Sequence, residues 1–103
     1  NTSYMFSVTG TSYFGGDVTF GAQVASHIQP DASATYDLGS STLRWNNIYT
    51  TDMQLSNLDK DSGNEVDGTK GDWTIQEGKD DLFLINRLSG KKYRFKLEEM
   101  KDE

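Results

Sequence analysis

Between Trp73 and Leu97 the sequence permits extended backbone and little else. Trp73-Thr-Ile-Gln-Glu77 alternates apolar and polar residues, and Gly78-Lys79-Asp80 supplies a turn. Asp81-Leu-Phe-Leu-Ile-Asn86 is apolar on both faces, and Arg87-Leu-Ser-Gly90 turns the chain again. From Lys91 to Leu97 the alternation is strict, with Tyr93, Phe95 and Leu97 on one side and Lys92, Arg94 and Lys96 on the other. A period of two is the signature of strands, and runs this short separated by turn residues pair with their neighbours. The pattern predicts a three-stranded antiparallel meander whose middle strand is buried on both sides. The charged tail from Glu98 to Glu103 is expected to fray, with at most a helical turn.

One small sheet has too little apolar area to stand alone. The rest of the chain adds little, since only 34% of its 103 residues are hydrophobic and the mean hydropathy is −0.70. A domain of this length buries roughly 60–65% of its unfolded surface, which leaves a small margin of stability. Sharing an interior with identical copies is the expected remedy. With no cysteine there is neither a disulfide framework nor a thiolate metal site. The net charge of −6 opposes general nucleic-acid binding. No apolar run approaches the ~20 residues of a membrane span, and none reads as a signal peptide, so no membrane insertion is expected. The start at Asn1, with the first Met at position 5, suggests a piece of a longer polypeptide.

Charge divides the chain. Up to Leu58 the acids are Asp17, Asp31, Asp37 and Asp52 and the one base is Arg44, whereas nine bases and twelve acids follow. Four segments are expected. Residues 1–29 hold two β-prone runs closed by glycine, Phe6-Ser-Val-Thr-Gly10 and Asp17-Val-Thr-Phe-Gly21, spaced like short strands of a shaft. Phe14, Val18 and Phe20 would line an axis between chains; a simple hairpin turning at Gly15-Gly16 is the alternative. Residues 30–58 form a turn, one helical turn and a strand. Residues 59–72 are a polar loop, and 73–103 are the meander.

The second segment carries a family resemblance. Pro30-Asp31, Tyr36-Asp37-Leu38-Gly39-Ser40-Ser41, Arg44-Trp45 and Ile48-Tyr49 stand in an order that resembles the LGSSxxRWxxIY segment near the C-terminal ends of tail fibres of tailed bacteriophages and related virion appendages. About a quarter of the chain carries it. Read locally, Ser40 and Ser41 cap a short helix ending at Arg44 and Trp45, and Asn46-Asn47 turn the chain into the extended run from Ile48 to Leu55. The resemblance implies a mainly β, fibrous homotrimer, in which short shaft-like strands, one helical turn and the C-terminal meander pack about a threefold axis. It implies a structural and host-adhesion role at the distal tail fibre of a virion. Partners would be the rest of the fibre and a host cell-surface polysaccharide or protein receptor. Candidate trimer-interface residues are Phe14, Val18, Phe20, Trp45, Ile48, Trp73, Leu84, Tyr93 and Phe95. Many such fibres continue into a self-cleaving chaperone domain with a Ser–Lys pair, and without one up to Glu103 the meander itself would register the chains. Tip loops at 59–72, 78–80 and 88–90 would meet the host.

No constellation in the sequence argues for catalysis, and neither an enzyme nor a cofactor is expected. The acids from Asp59 to Asp67 offer oxygen to a hard cation, but Gly63 stands where a ligand is wanted, Asn64 where the turn needs glycine, and no bidentate Glu occupies the twelfth place, so a solvated loop is preferred. Asp80 and Asp81 are neighbours on a strand and point to opposite faces, which rules them out as a glycosidase pair; Asp37 and Asp52 have no argued partner. His27 is the sole histidine. It reads as a packing residue near the axis, where three copies could hold an anion or metal. Lys92, Arg94 and Lys96 are candidate receptor contacts, although alternation sets Tyr93 and Phe95 on the opposite face. Trp45 and Trp73 lie in apolar patterns that suit an interface; exposed, either would serve a monomeric carbohydrate-binding module as a stacking platform.

Overall fold

A computed structural model describes residues 6–101. Its regular structure is one four-stranded antiparallel sheet: β1 (Met53–Ser56), β2 (Asp72–Glu77), β3 (Leu82–Asn86) and β4 (Lys92–Arg94), ordered β1-β2-β3-β4. The protein is mainly β, with no helix among the described residues. Each strand pairs with the next along the chain. Strands β2, β3 and β4 are the meander expected from the alternation, and β1 adds a fourth strand from the end of the extended run after Ile48.

Turn chemistry fixes the register. At the β2–β3 turn the Gly78 amide donates to the Asp81 carbonyl (2.7 Å). At the β3–β4 turn the Asn86 side-chain oxygen accepts from the amides of Leu88 (3.0 Å) and Ser89 (3.2 Å), the usual way an Asn closes a turn. Beyond β4 the Phe95 amide still reaches the Leu82 carbonyl (3.0 Å).

The β1–β2 connection, residues 57–71, is a folded loop. Gly71 donates to the Asn57 side-chain oxygen (2.7 Å), and the Asn57 amide returns a bond to the Gly71 carbonyl (3.3 Å), so the two ends are clamped. Gly63 is buried at its centre with φ +68°, and a Cβ there would collide with the Gly68 carbonyl and approach the Thr69 carbonyl to 2.9 Å. Only glycine fits that position. The loop thus joins the two strands of a hairpin that spans the boundary drawn from charge.

Three expectations change. No helical turn forms at 40–45. Instead Ser40 uses its amide to bond the Leu43 carbonyl (2.9 Å) and its hydroxyl to accept from the Leu43 amide (3.0 Å), with Gly39 at φ +87° and Arg44 bonded to the Ser41 carbonyl. A serine that satisfies both backbone groups of one residue closes a loop and leaves nothing to propagate a helix, whose nucleus is costly in so short a run. The shaft-like strands are also absent from residues 6–29, and so is a hairpin at Gly15-Gly16. Extended runs without a neighbouring strand have no ladder to join; residues 1–5 lie outside the described part. Finally, β3 is not buried on both sides. Ile85 is its one buried side chain and Leu82 is exposed, because a single sheet covers neither of its own faces.

Candidate functional site

The register sorts side chains onto two faces of opposite character. On the first, Met53, Ile75, Leu84 and Tyr93 form one row across all four strands, Leu55 stands beside Trp73, and Leu82 continues the stripe. Phe95, two residues beyond Tyr93, extends this face at the Leu82 end. The Trp73 and Tyr93 rings meet at 5.7 Å between centroids, tilted by 39°. Little covers the stripe. Met53, Leu55, Leu82 and Tyr93 are each more than 40% exposed.

The second face is polar with an apolar centre. Its rows are Gln54–Thr74–Ile85–Lys92 and Gln76–Phe83–Arg94. Thr74 is wholly buried; its hydroxyl donates to the Gln54 side-chain oxygen (2.6 Å) and accepts from the Arg87 Nε (3.0 Å). The Gln76 amide nitrogen donates to Asp52 (3.3 Å). Arg94 Nε lies 3.8 Å from Asp81, the one ion pair among the described residues. Gln76, Phe83, Ile85, Lys92, Tyr93 and Arg94 border an open groove of about 530 Å³ on this side.

Comparison with protein-family models, with curated proteins and with solved structures returns no match.

Of the expected interface residues, the fold brings Trp73, Leu84, Tyr93 and Phe95 to the first face. Phe14, Val18, Phe20, Trp45 and Ile48 are exposed on the irregular segment before β1 and are not gathered with them. Met53, Leu55, Ile75 and Leu82 belong to the same stripe. Alternation in Met53-Gln-Leu55 was the signal for the first two. Lys92 and Arg94 stand on the second face as alternation requires, and Lys96 follows beyond β4. His27 is exposed.

In the 57–71 loop, Asp67 accepts from the Asn64 side chain (2.7 Å), the Thr69 hydroxyl (2.8 Å) and the Thr69 amide (3.1 Å). These donors, Asn64 foremost, favour the carboxylate and hold Asp67 below its ordinary pKa. The acids of the run are spread along the loop: among the described residues no three His, Asp or Glu side chains converge as a metal site would need. Ser33 hydrogen-bonds to Asp59 and ties the preceding segment to this loop. A second groove, of about 540 Å³, runs between the loop and the first face beside Leu55, Asn57, Thr69, Trp73 and Asn86.

Proposed function

We propose that this chain is part of a tail fibre or similar appendage of a tailed bacteriophage, working as a parallel homotrimer that joins chains mechanically and attaches the particle to its host. The resemblance in residues 30–49 motivates the reading. The observation that carries it is the uncovered apolar stripe from Met53 to Tyr93. An exposed contiguous apolar patch marks an interaction surface, and a patch made of one chain's own strands is satisfied by copies of itself about a common axis. The remainder of the chain has the same need. Every residue from Phe6 to Thr51 is exposed, aromatic ones included. The radius of gyration is 19.4 Å, against roughly 13 Å for a compact domain of this size. A chain so extended does not bury itself.

Sedimentation equilibrium at micromolar and lower concentration tests the proposal. A mass near three times 11.5 kDa is expected; a compact particle of one chain's mass overturns it. The groove beside Trp73 favours a second reading, a monomeric carbohydrate-binding module with that indole as the platform, and the single-chain mass would select it. An enzyme is not part of either reading.

A further inference from the structure

The second face of the sheet carries a built arrangement that the stacking of copies does not use. We infer that the groove over Phe83 and Ile85 binds an acidic sugar unit of a surface polysaccharide. This rests on the reading above to the extent that neighbouring copies take up the first face and leave the opposite one turned to solvent.

Ile85, the most buried hydrophobic residue among those described, forms the floor, with the half-buried Phe83 beside it. The Phe83 ring is held against the turn, where a Cβ on Gly78 would come within 2.6 Å of its Cε2. A fixed aromatic face is electron-rich and suits the C–H face of a pyranose ring. Around this floor the polar groups have distinct capacities. Gln76 has its nitrogen turned to Asp52, which leaves its carbonyl oxygen to accept from a hydroxyl. Lys92 and Arg94, two residues apart on β4, face the same side. Lys92 has no carboxylate within ion-pair distance among the described residues, and Arg94 engages Asp81 only through Nε at 3.8 Å. Its two terminal nitrogens can take a carboxylate in the paired geometry that guanidinium favours.

A hexuronate offers what this groove accepts: an apolar ring face, hydroxyls at its rim and one carboxylate. The volume of about 530 Å³ has room for one or two such units. Charge separates this ligand from a nucleic-acid strand. A backbone with a charge at every unit would meet the surplus acids of a chain with net charge −6, whereas one carboxylate placed between Lys92 and Arg94 has two cations beside it, the nearest acids being Asp81 on the Arg94 Nε side and Asp52 behind Gln76.

The test uses the full chain in its native assembly, titrated by calorimetry and ligand-observed NMR with three probes: tetragalacturonate, sialyllactose and neutral cellotetraose. A thymidylate oligomer serves as a fourth. At least one acidic sugar is expected to bind with Kd on the order of 1 mM or tighter, more weakly at high salt. The neutral sugar should bind at least tenfold more weakly. The exposed double variant Lys92→Gln/Arg94→Gln should lose tenfold or more for the acidic sugar, and Phe83→Leu should weaken it with the cations intact. Failure of both acidic sugars up to about 10 mM overturns the inference. So does equal binding by the double variant, or tighter binding of the thymidylate. The mass measured on the same samples keeps the two proposals apart: a trimer that binds no acidic sugar removes the groove alone, and a monomer that binds one removes the trimer alone.

Discussion

Single side chains in the 57–71 loop take the place of a hydrophobic core. Asn64 bonds through both ends of its amide, donating to Asp67 and the Thr69 carbonyl (3.0 Å) and accepting from the amides of Val66 (2.7 Å) and Asp67 (2.9 Å). Because Asp67 is held below its ordinary pKa, its contribution to the loop is complete above the unfolded-state value. It is lost as pH falls through the lower, folded-state value. Carboxyl-detected NMR should therefore show Asp67 titrating below its value in the unfolded chain, and Asn64→Ala should move it back toward that value. A midpoint indifferent to that substitution would contradict the hydrogen-bond account. Glycine at 63 was legible only as one residue of a polar loop. That it is enclosed by its own loop depends on bonds such as Asn64 to Thr69, which no local pattern encodes.

At the scale of strands, the meander was legible because period-two alternation and turn residues are both local. The strand β1 was half legible. Its extended character shows in the run after Ile48, but its pairing with β2 is set by the clamp of Asn57 on Gly71, fourteen residues away. The helical turn was misjudged because Ser40 can cap a helix or close a loop with the same atoms, and local sequence does not choose between them. Which residues would be buried was the least legible of all. The sheet's one fully buried side chain is a threonine, enclosed by Gln54 and Arg87. Thr74→Val keeps the shape and removes two hydrogen bonds whose partners, Gln54 and Arg87, are exposed and can turn to water, so a loss of about 1 kcal/mol is expected in denaturant unfolding. Gln54→Leu combined with it should cost less than the two single changes summed, since the Thr74–Gln54 hydrogen bond can be lost only once. The basic face was legible in its residues, and Phe83 joining Lys92 and Arg94 there follows from register.

For the whole molecule, the issue is where its apolar surface goes. Leu84 lies at the middle of the stripe on the first face, between Ile75 and Tyr93. In a threefold assembly three copies of Leu84→Asp would bring carboxylates together in a place meant for hydrocarbon, and the assembly should fall apart to single chains in sedimentation; Phe95→Asp should act the same way. An intact trimer carrying either change would contradict the interior assigned to the first face. The expectation of an axis lined by Phe14, Val18 and Phe20 belongs to this scale too. Those side chains are exposed in one copy, and their role can be read only in an assembly.

The strictly sequential strand order has a kinetic consequence. Every β-ladder in this sheet joins nearest neighbours along the polypeptide, so the search for pairing partners is short and hairpin closure runs on microsecond scales. Encounter between copies is a higher-order event whose rate falls with dilution. Maturation of the proposed spike would then proceed in two stages, a prompt one set by each polypeptide and a later one set by how many of them are in solution.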